Sequence, residues 1–279
     1  IEESRNEVAS LINAKPEEIV WTSGATESNN LAIVGFHQFQ YKNQALRFVT
    51  SHLEHKSVIE SLQSVEALGS NVSYIQPNKD GQIDIETFTS QMDPNTTFVS
   101  CMHINNETGA VNDIANIGRY CRKNEIIFHV DAAQSVGKIP IDVNDMCIDL
   151  MSMSAHKVYG PKGVGALYIN KDSVGRVKSL IVGGGQERGM RSGTLPTHQI
   201  AGMGIAYRIS KKKMTEDLEH IKDCRDTFLE KLSILHGWRI NGSTDNAFPG
   251  ILSISFSDLY SESIIYAMKD FAISRGSAC

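Results

Sequence analysis

Seven short apolar runs punctuate the chain: EIVWT (18–22), LRFVTS (46–51), VSYIQP (72–77), TFVSCMHI (97–104), IIFHVDA (126–132), IDLMSM (148–153) and VGALYI (164–169). Each has strand length, and several are apolar at successive positions, the pattern of a strand covered on both faces. Between them the apolar spacing lengthens to that of a helix. In Ile114 to Asn124, residues Ile114, Ile117 and Cys121 share one face and Asp113 stands as N-cap. IEESRNEVASLI (1–12) reads as a further helix, and small or polar residues open others after the first two strands. Strands alternating with helices predict an α/β fold, a mostly parallel sheet whose ligands sit at the carboxyl ends of the strands.

Near Lys211 the character changes. Leu218, Ile221, Phe228, Leu232 and Leu235 predict a long amphipathic helix, Asn241-Gly242 a turn, and GILSISFS (250–257) a half-buried strand. Residues 1–213 are therefore expected to form a large cofactor-binding domain, and 214–279 part of a smaller second domain. At 279 residues and 41% hydrophobic content the chain is long enough for that arrangement.

Charge narrows the partners. There are 27 basic and 32 acidic residues, net −5, and the KKK at 211–213 reads as a solvated helix face, so direct nucleic-acid binding is not expected. No apolar run reaches the ~20 residues of a membrane span. The chain opens on Ile rather than Met and without a signal-peptide pattern, and is expected to be a portion of a longer polypeptide. The five cysteines, at 101, 121, 147, 224 and 279, have no CxxC spacing and suit a reducing compartment, cytoplasmic or mitochondrial rather than secreted. Cys101 and Cys121 read as buried thiols.

Chemistry gathers at the strand ends. Ser23-Gly24-Ala25-Thr26 opens a helix whose free N–H groups suit a phosphate; His52-Leu53-Glu54-His55 follows the second run; Asn105-Asn106 precedes a glycine; Asp131 and Gln134 close the fifth run; Ser154, His156 and Lys157 follow the sixth. Taken singly, each has a commoner structural explanation: a capped helix, a turn, a helix-start histidine. The HxxH spacing lacks the further ligands a metal site needs, so no metal is expected. Together, at consecutive strand ends, they fit one ligand, pyridoxal 5′-phosphate. It needs a lysine for its aldehyde (Lys157), a carboxylate to keep its ring nitrogen protonated (Asp131), and a helix N-terminus for its phosphate. No GxGxxG follows a strand, which sets a dinucleotide aside.

TSGATESNN, EHK, NNETG, DAAQSVGKIPIDV, SAHKVYGPKGVGALYI, GGGQERGMRSGT and ISRGSAC, in that order, closely resemble the cysteine desulfurases of the NifS/IscS type, members of the class V aminotransferase group. The resemblance implies Lys157 as the Schiff-base lysine, Asp131 on the pyridine nitrogen, Gln134 on the ring's 3-hydroxyl, and His55 stacked on the ring and assisting proton transfers. It places Ala25, Thr26, Ser154 and His156 on the phosphate and Asn106 beside ring and substrate. Thr194 would reach a neighbouring subunit's phosphate, making a homodimer. Cys279 would take sulfur from L-cysteine as a persulfide, leave alanine, and pass the sulfur to iron-sulfur scaffold and other acceptor proteins for cluster assembly and tRNA thiolation. The small residues Gly276-Ser277-Ala278 before Cys279 suit a mobile loop.

The family's opening Asp-Tyr-x-Ala-Thr-Thr-Pro segment is absent, as is its substrate-clamping arginine beyond the cysteine. Ala155 stands where the family has Gly, and Arg275 where it has Ser, adding a cation that favours the Cys279 thiolate or alters acceptor docking. Other readings are a selenocysteine lyase or another class V aminotransferase, which would not need Cys279, and a truncated non-catalytic subunit.

Overall fold

The computed structural model describes residues 1–40 and 45–276. Helix α1 (Glu2–Leu11) leads to strand β1 (Ile19–Thr22), then α2 (Ala25–Gln40), β2 (Arg47–Ser51), α3 (Lys56–Ala67), β3 (Asn71–Ile75), α4 (Ile85–Ser90), β4 (Phe98–Met102), α5 (Ile114–Lys123) and β5 (Ile127–Asp131). Strands β6 (Leu150–Ser154) and β7 (Gly165–Ile169) precede the long α6 (Thr197–Leu232), and β8 (Trp238–Ile240), β9 (Ile254–Phe256) and α7 (Ser261–Ala267) follow it. The predicted runs and the strands agree to within a few residues. The N-cap at Asp113 forms, its carboxylate accepting the Asn116 N–H at 3.3 Å.

Strands β1 to β7 make one sheet in the order β1-β7-β6-β5-β4-β2-β3. Every pairing is parallel except those of β7, which runs against both β1 and β6. The reversal follows from chain length: only residues 155–164 join β6 to β7, too few for the dozen or more that a parallel crossover requires. The architecture is α/β with a mostly parallel sheet.

Successive side chains on a strand face opposite ways, and here both faces are buried. Phe48, Phe98, Ile127, Leu150 and Leu167 enter a core under α2 and α3, closed by Ile33, Phe36, Val58 and Leu62. Their neighbours Val49, Val99, Phe128, Met151 and Tyr168 enter a second core shared with Val8 of α1, Ile117 of α5 and Met203 and Tyr207 of α6. Helix α5 lies so close to the β5–β6 connection that a Cβ on Gly118 would sit 1.9 Å from the Met146 carbonyl oxygen.

A buried ion pair fastens the loop before α6. Arg5 donates through two nitrogens to Glu187 at 2.8 and 2.9 Å, and Glu187 also accepts the Trp21 N–H at 2.8 Å. A bidentate guanidinium pair fixes both position and orientation, so the backbone after Glu187 leaves β1 at a set angle. The first half of α6 packs on the sheet through Ile200, Met203 and Tyr207, while Lys211, Lys212 and Lys213 are exposed as expected. The division read at 213/214 falls inside this continuous helix.

Candidate active site

At the carboxyl edge of the sheet a cavity of about 430 Å³ opens among the ends of β1, β4, β5 and β6 and the loop before α3. It is lined by nine of the site residues expected from the sequence, Ala25, Thr26, His55, Asn106, Asp131, Gln134, Ser154, His156 and Lys157, with Ser23 and Gly24 at the β1–α2 turn. Met102 and Ile104 supply apolar wall.

One end is built for an anion. Helix α2 points its first turn at the cavity, where N–H groups have no intrahelical acceptor. It can sit there because β7 begins with glycine: a Cβ on Gly165 would lie 2.5 Å from the Met153 carbonyl oxygen and 2.6 Å from Gly24 Cα. Ser154, the last residue of β6, holds the His156 ring by an Oγ···Nδ1 contact of 2.8 Å. Burial, and to a smaller extent the nearby Lys157 and Lys162, lowers the His156 pKa. Lys162 lines the same wall and was not singled out in the sequence.

The other end is acidic and rigid. Asp131 is buried at the end of β5; its Oδ1 accepts the Ala133 N–H at 3.0 Å and its Oδ2 the Asn29 amide at 2.8 Å. Asn29 also donates to Ser57 Oγ at 2.8 Å, and Ser57 Oγ lies 2.7 Å from His55 Nδ1. His55 is the N-cap of α3. Gln134 receives the Lys138 ammonium on Oε1 at 2.9 Å, which leaves the amide NH2 as its unengaged donor. Lys138 in turn lies over the Phe248 ring at 5.6 Å, and burial, then the Lys157 charge, lowers its pKa to about 8.

Nearby Glu54 is enclosed, with Oε1 accepting from the Met102 N–H at 2.8 Å and Ser51 Oγ at 3.1 Å, and Oε2 without a partner among the described residues. Burial, aided by the Asp131 charge, pushes it up to about 8. Glu54 is thus held mostly protonated near neutral pH, and Asp131 is the carboxylate that lines the cavity.

Asn29, Ser57, Lys138 and Glu54 were not read as functional from sequence. Asn29 had a signal: it shares a helical face with the buried Ala32, Ile33 and Phe36, where a polar residue is out of place.

One expected site residue lies elsewhere, and another falls outside the described residues. Thr194 is exposed and does not line its own chain's cavity; it follows Arg191, which pairs with Glu27 at 2.8 Å, and Gly193, whose N–H reaches Gln186 at 2.8 Å. Burial alone would raise the Glu27 pKa, but hydrogen bonds from Arg191 and Ser23 lower it, so the loop is tied to α2 by a charged contact. Cys279 lies outside the described residues. Its neighbour Arg275 is exposed and ion-paired with Glu262. Cys101 and Cys121 are buried thiols whose pKa burial raises, while Cys224 is exposed. Among the described residues no cluster of His, Cys, Asp and Glu is arranged to hold a metal, and no helix is long and apolar enough to cross a membrane.

The sequence profile of the family described as aminotransferase class-V matches residues 1–279. The chain is 51% identical to cysteine desulfurase IscS of Tolumonas auensis and 48% identical to that of Vibrio cholerae, over 279 residues, which is 100% of this chain and 69% of each relative. Among solved structures it superposes on a NifS-like protein with a TM-score of 0.92 at 33% identity, covering 98% of this chain and 74% of that one. It superposes on DndA from Streptomyces lividans with a TM-score of 0.88 at 36% identity, covering 96% and 76%.

Proposed function

The chain belongs to the aminotransferase class-V family, and on that premise we propose that it works as a cysteine desulfurase, converting L-cysteine and an enzyme thiol to L-alanine and an enzyme persulfide. One observation carries the reading to these residues: a lysine, a carboxylate and a helix N-terminus line one cavity, the three features pyridoxal 5′-phosphate needs. The donor set fits that cofactor, cationic and N–H-rich at one end and anionic at the other.

Bound there, pyridoxal phosphate would supply an electron sink. Lys157 would hold it through its amine. Ala25, Thr26, Ser154 and His156 would hold its phosphate, Asp131 would keep its ring nitrogen protonated, and the Gln134 NH2 would face its 3-hydroxyl. Asn106 and His55 would border ring and substrate. The thiol is Cys279: as thiolate it takes the substrate sulfur, the Cβ–S bond breaks, and Cβ gains a proton. A persulfide there could be handed to iron-sulfur scaffold and other acceptor proteins, in a reducing compartment suited to free thiols.

Two further parts belong to this proposal. Residues 1–213 form the cofactor-binding domain and 214–279 part of a smaller one, with α6 shared between them. Thr194, exposed on a tethered loop, completes the phosphate site of a second copy, so that the working unit is a homodimer.

The test is product analysis of L-cysteine with cofactor-loaded protein and its Cys279→Ser variant. Equal alanine and persulfide from the parent, and neither from the variant, is the expected result. Alanine from the variant at the parent's rate would point to a lyase or another aminotransferase instead, and no product from either protein to a non-catalytic subunit.

A further inference from the structure

Asn29 is fully buried, and both of its amide hydrogens are used: Nδ2 reaches Asp131 Oδ2 and Ser57 Oγ, each at 2.8 Å. Its Oδ1 is buried and has no hydrogen-bond partner among the described residues. Turning the amide over would satisfy nothing, because it would set a carbonyl oxygen against a carboxylate; the orientation is forced, and the orphaned oxygen is its consequence. Since Ser57 Oγ accepts from Asn29, its own hydrogen is free to point onward, to His55 Nδ1 at 2.7 Å. The Ser57 backbone N–H reaches the same nitrogen at 3.1 Å. A ring nitrogen facing two donors must carry its lone pair, which leaves the proton of a neutral ring on Nε2.

We propose that Asn29 and Ser57 are positioning residues that tie Asp131 to His55 and hold neutral His55 as its Nε2–H tautomer, so that the cavity is offered a donor at that wall. Such a ring favours a ligand group bearing a lone pair or negative charge, a thiolate or carboxylate of an amino-acid substrate. While neutral it cannot take a proton on Nε2; it shares the one it holds, as a hydrogen bond to the ligand. The consequence for substrate rests on the functional reading above, whereas the tie itself is a property of the protein without any ligand.

The experiment uses the full chain labelled with 15N-histidine and free of cofactor, at a pH where its exposed imidazoles are neutral. Two-bond proton–nitrogen correlations report which ring nitrogen is protonated, and a His55→Gln variant assigns the signal. The wild type is expected to show Nδ1 of His55 unprotonated. Ser57→Ala and Asn29→Leu are each expected to raise the Nδ1–H population severalfold while the other histidine signals stay in place, and Ser57→Thr to restore it. A wild type with Nδ1–H dominant, or variants with unchanged populations, would overturn the proposal. Ser57→Ala is a small change in the first turn of α3 and decides the matter alone if Asn29→Leu does not fold. An inactive protein with the expected spectra would sink the desulfurase reading and spare the tie; an active one with Nδ1–H would do the reverse.

Discussion

Asn29, Ser57, Asp131 and Ser154 are at most 8% exposed, whereas between Met214 and Gly276 only Leu232 and Phe248 are buried. At the sheet's carboxyl edge, polar side chains are fixed by other polar side chains within a packed core, so the groups that would meet a ligand are oriented in advance. The later segment is held at few points: the Ala110–Ala247 bridge, the Phe248 N–H on the Gly109 carbonyl at 2.8 Å, and the Gln82 amide on the Asn246 carbonyl at 2.7 Å. The contrast is between a cavity whose polar groups are fixed by packing and a segment that finds little cover within this chain.

The largest effect should come from breaking the fixed side chemically without touching its packing. Lys157→Ala is expected to lower alanine production at least about a hundredfold, since the lysine proposed to hold the cofactor is lost, with thermal unfolding little changed because Lys157 is not part of either core. Borohydride trapping should leave no cofactor adduct on the variant. An adduct on Lys138 or Lys162 instead would move the chemistry to that residue.

Next comes Glu54, which tests how far the floor depends on a missing charge. Its folded pKa of about 8 lies above the usual carboxylate value of 4.5, so the folded state binds the extra proton between those limits. The stability it contributes is present below about pH 4.5 and is lost as pH rises toward 8, with a slope approaching about 1.4 kcal/mol per pH unit. Glu54→Gln should remove that slope. Subtracting the denaturation midpoints of variant and parent across this range isolates it from the buried His129, whose pKa burial lowers to about 3. A flat difference would mean that Glu54 ionises freely.

These residues also show what was legible beforehand. Strands buried on both faces announce themselves as unbroken apolar runs, and Lys157, Asp131 and His55 stood where such runs end. The direction of β7 was not legible, because an apolar run has no polarity; only the short link from Ser154 to Gly165 encodes it. Lys138 and Glu54 were missed because their roles act through a second side chain, and no spacing along one chain reports that Lys138 meets Gln134 while lying over a ring from far down the chain. The amphipathic stripe of 218–235 falls on α6 except for Leu235, which lies past the helix end at Leu232, and only Leu232 of its five apolar residues is buried, since a stripe records a preference for cover and not its presence.

Lys138 joins the two regions and gives a smaller, sharper test. If it acts by turning the Gln134 amide toward the cofactor's 3-hydroxyl, Lys138→Met should weaken pyridoxal phosphate binding by about tenfold or somewhat more, the range of one hydrogen bond involving a charge. Binding of the 3-deoxy analogue, which lacks the hydroxyl, should change little. Equal losses for both ligands would make Lys138 a packing residue under Phe248 instead.

The smallest effect should lie on the open side. Phe228 is on α6 at 49% exposure and shares its stripe with Leu218 and Ile221, both of which are only partly buried. A side chain that leaves half its surface in water recovers about half of the roughly 1.5–3 kcal/mol that full burial of an aromatic supplies. Phe228→Ser is therefore expected to cost about 1 kcal/mol. Denaturant titration at two protein concentrations makes the test sharper. A loss above about 2 kcal/mol that grows with concentration would show that the stripe is covered by another copy in solution. The open region would then be, like the cavity floor, a packed one whose partner lies in a second molecule.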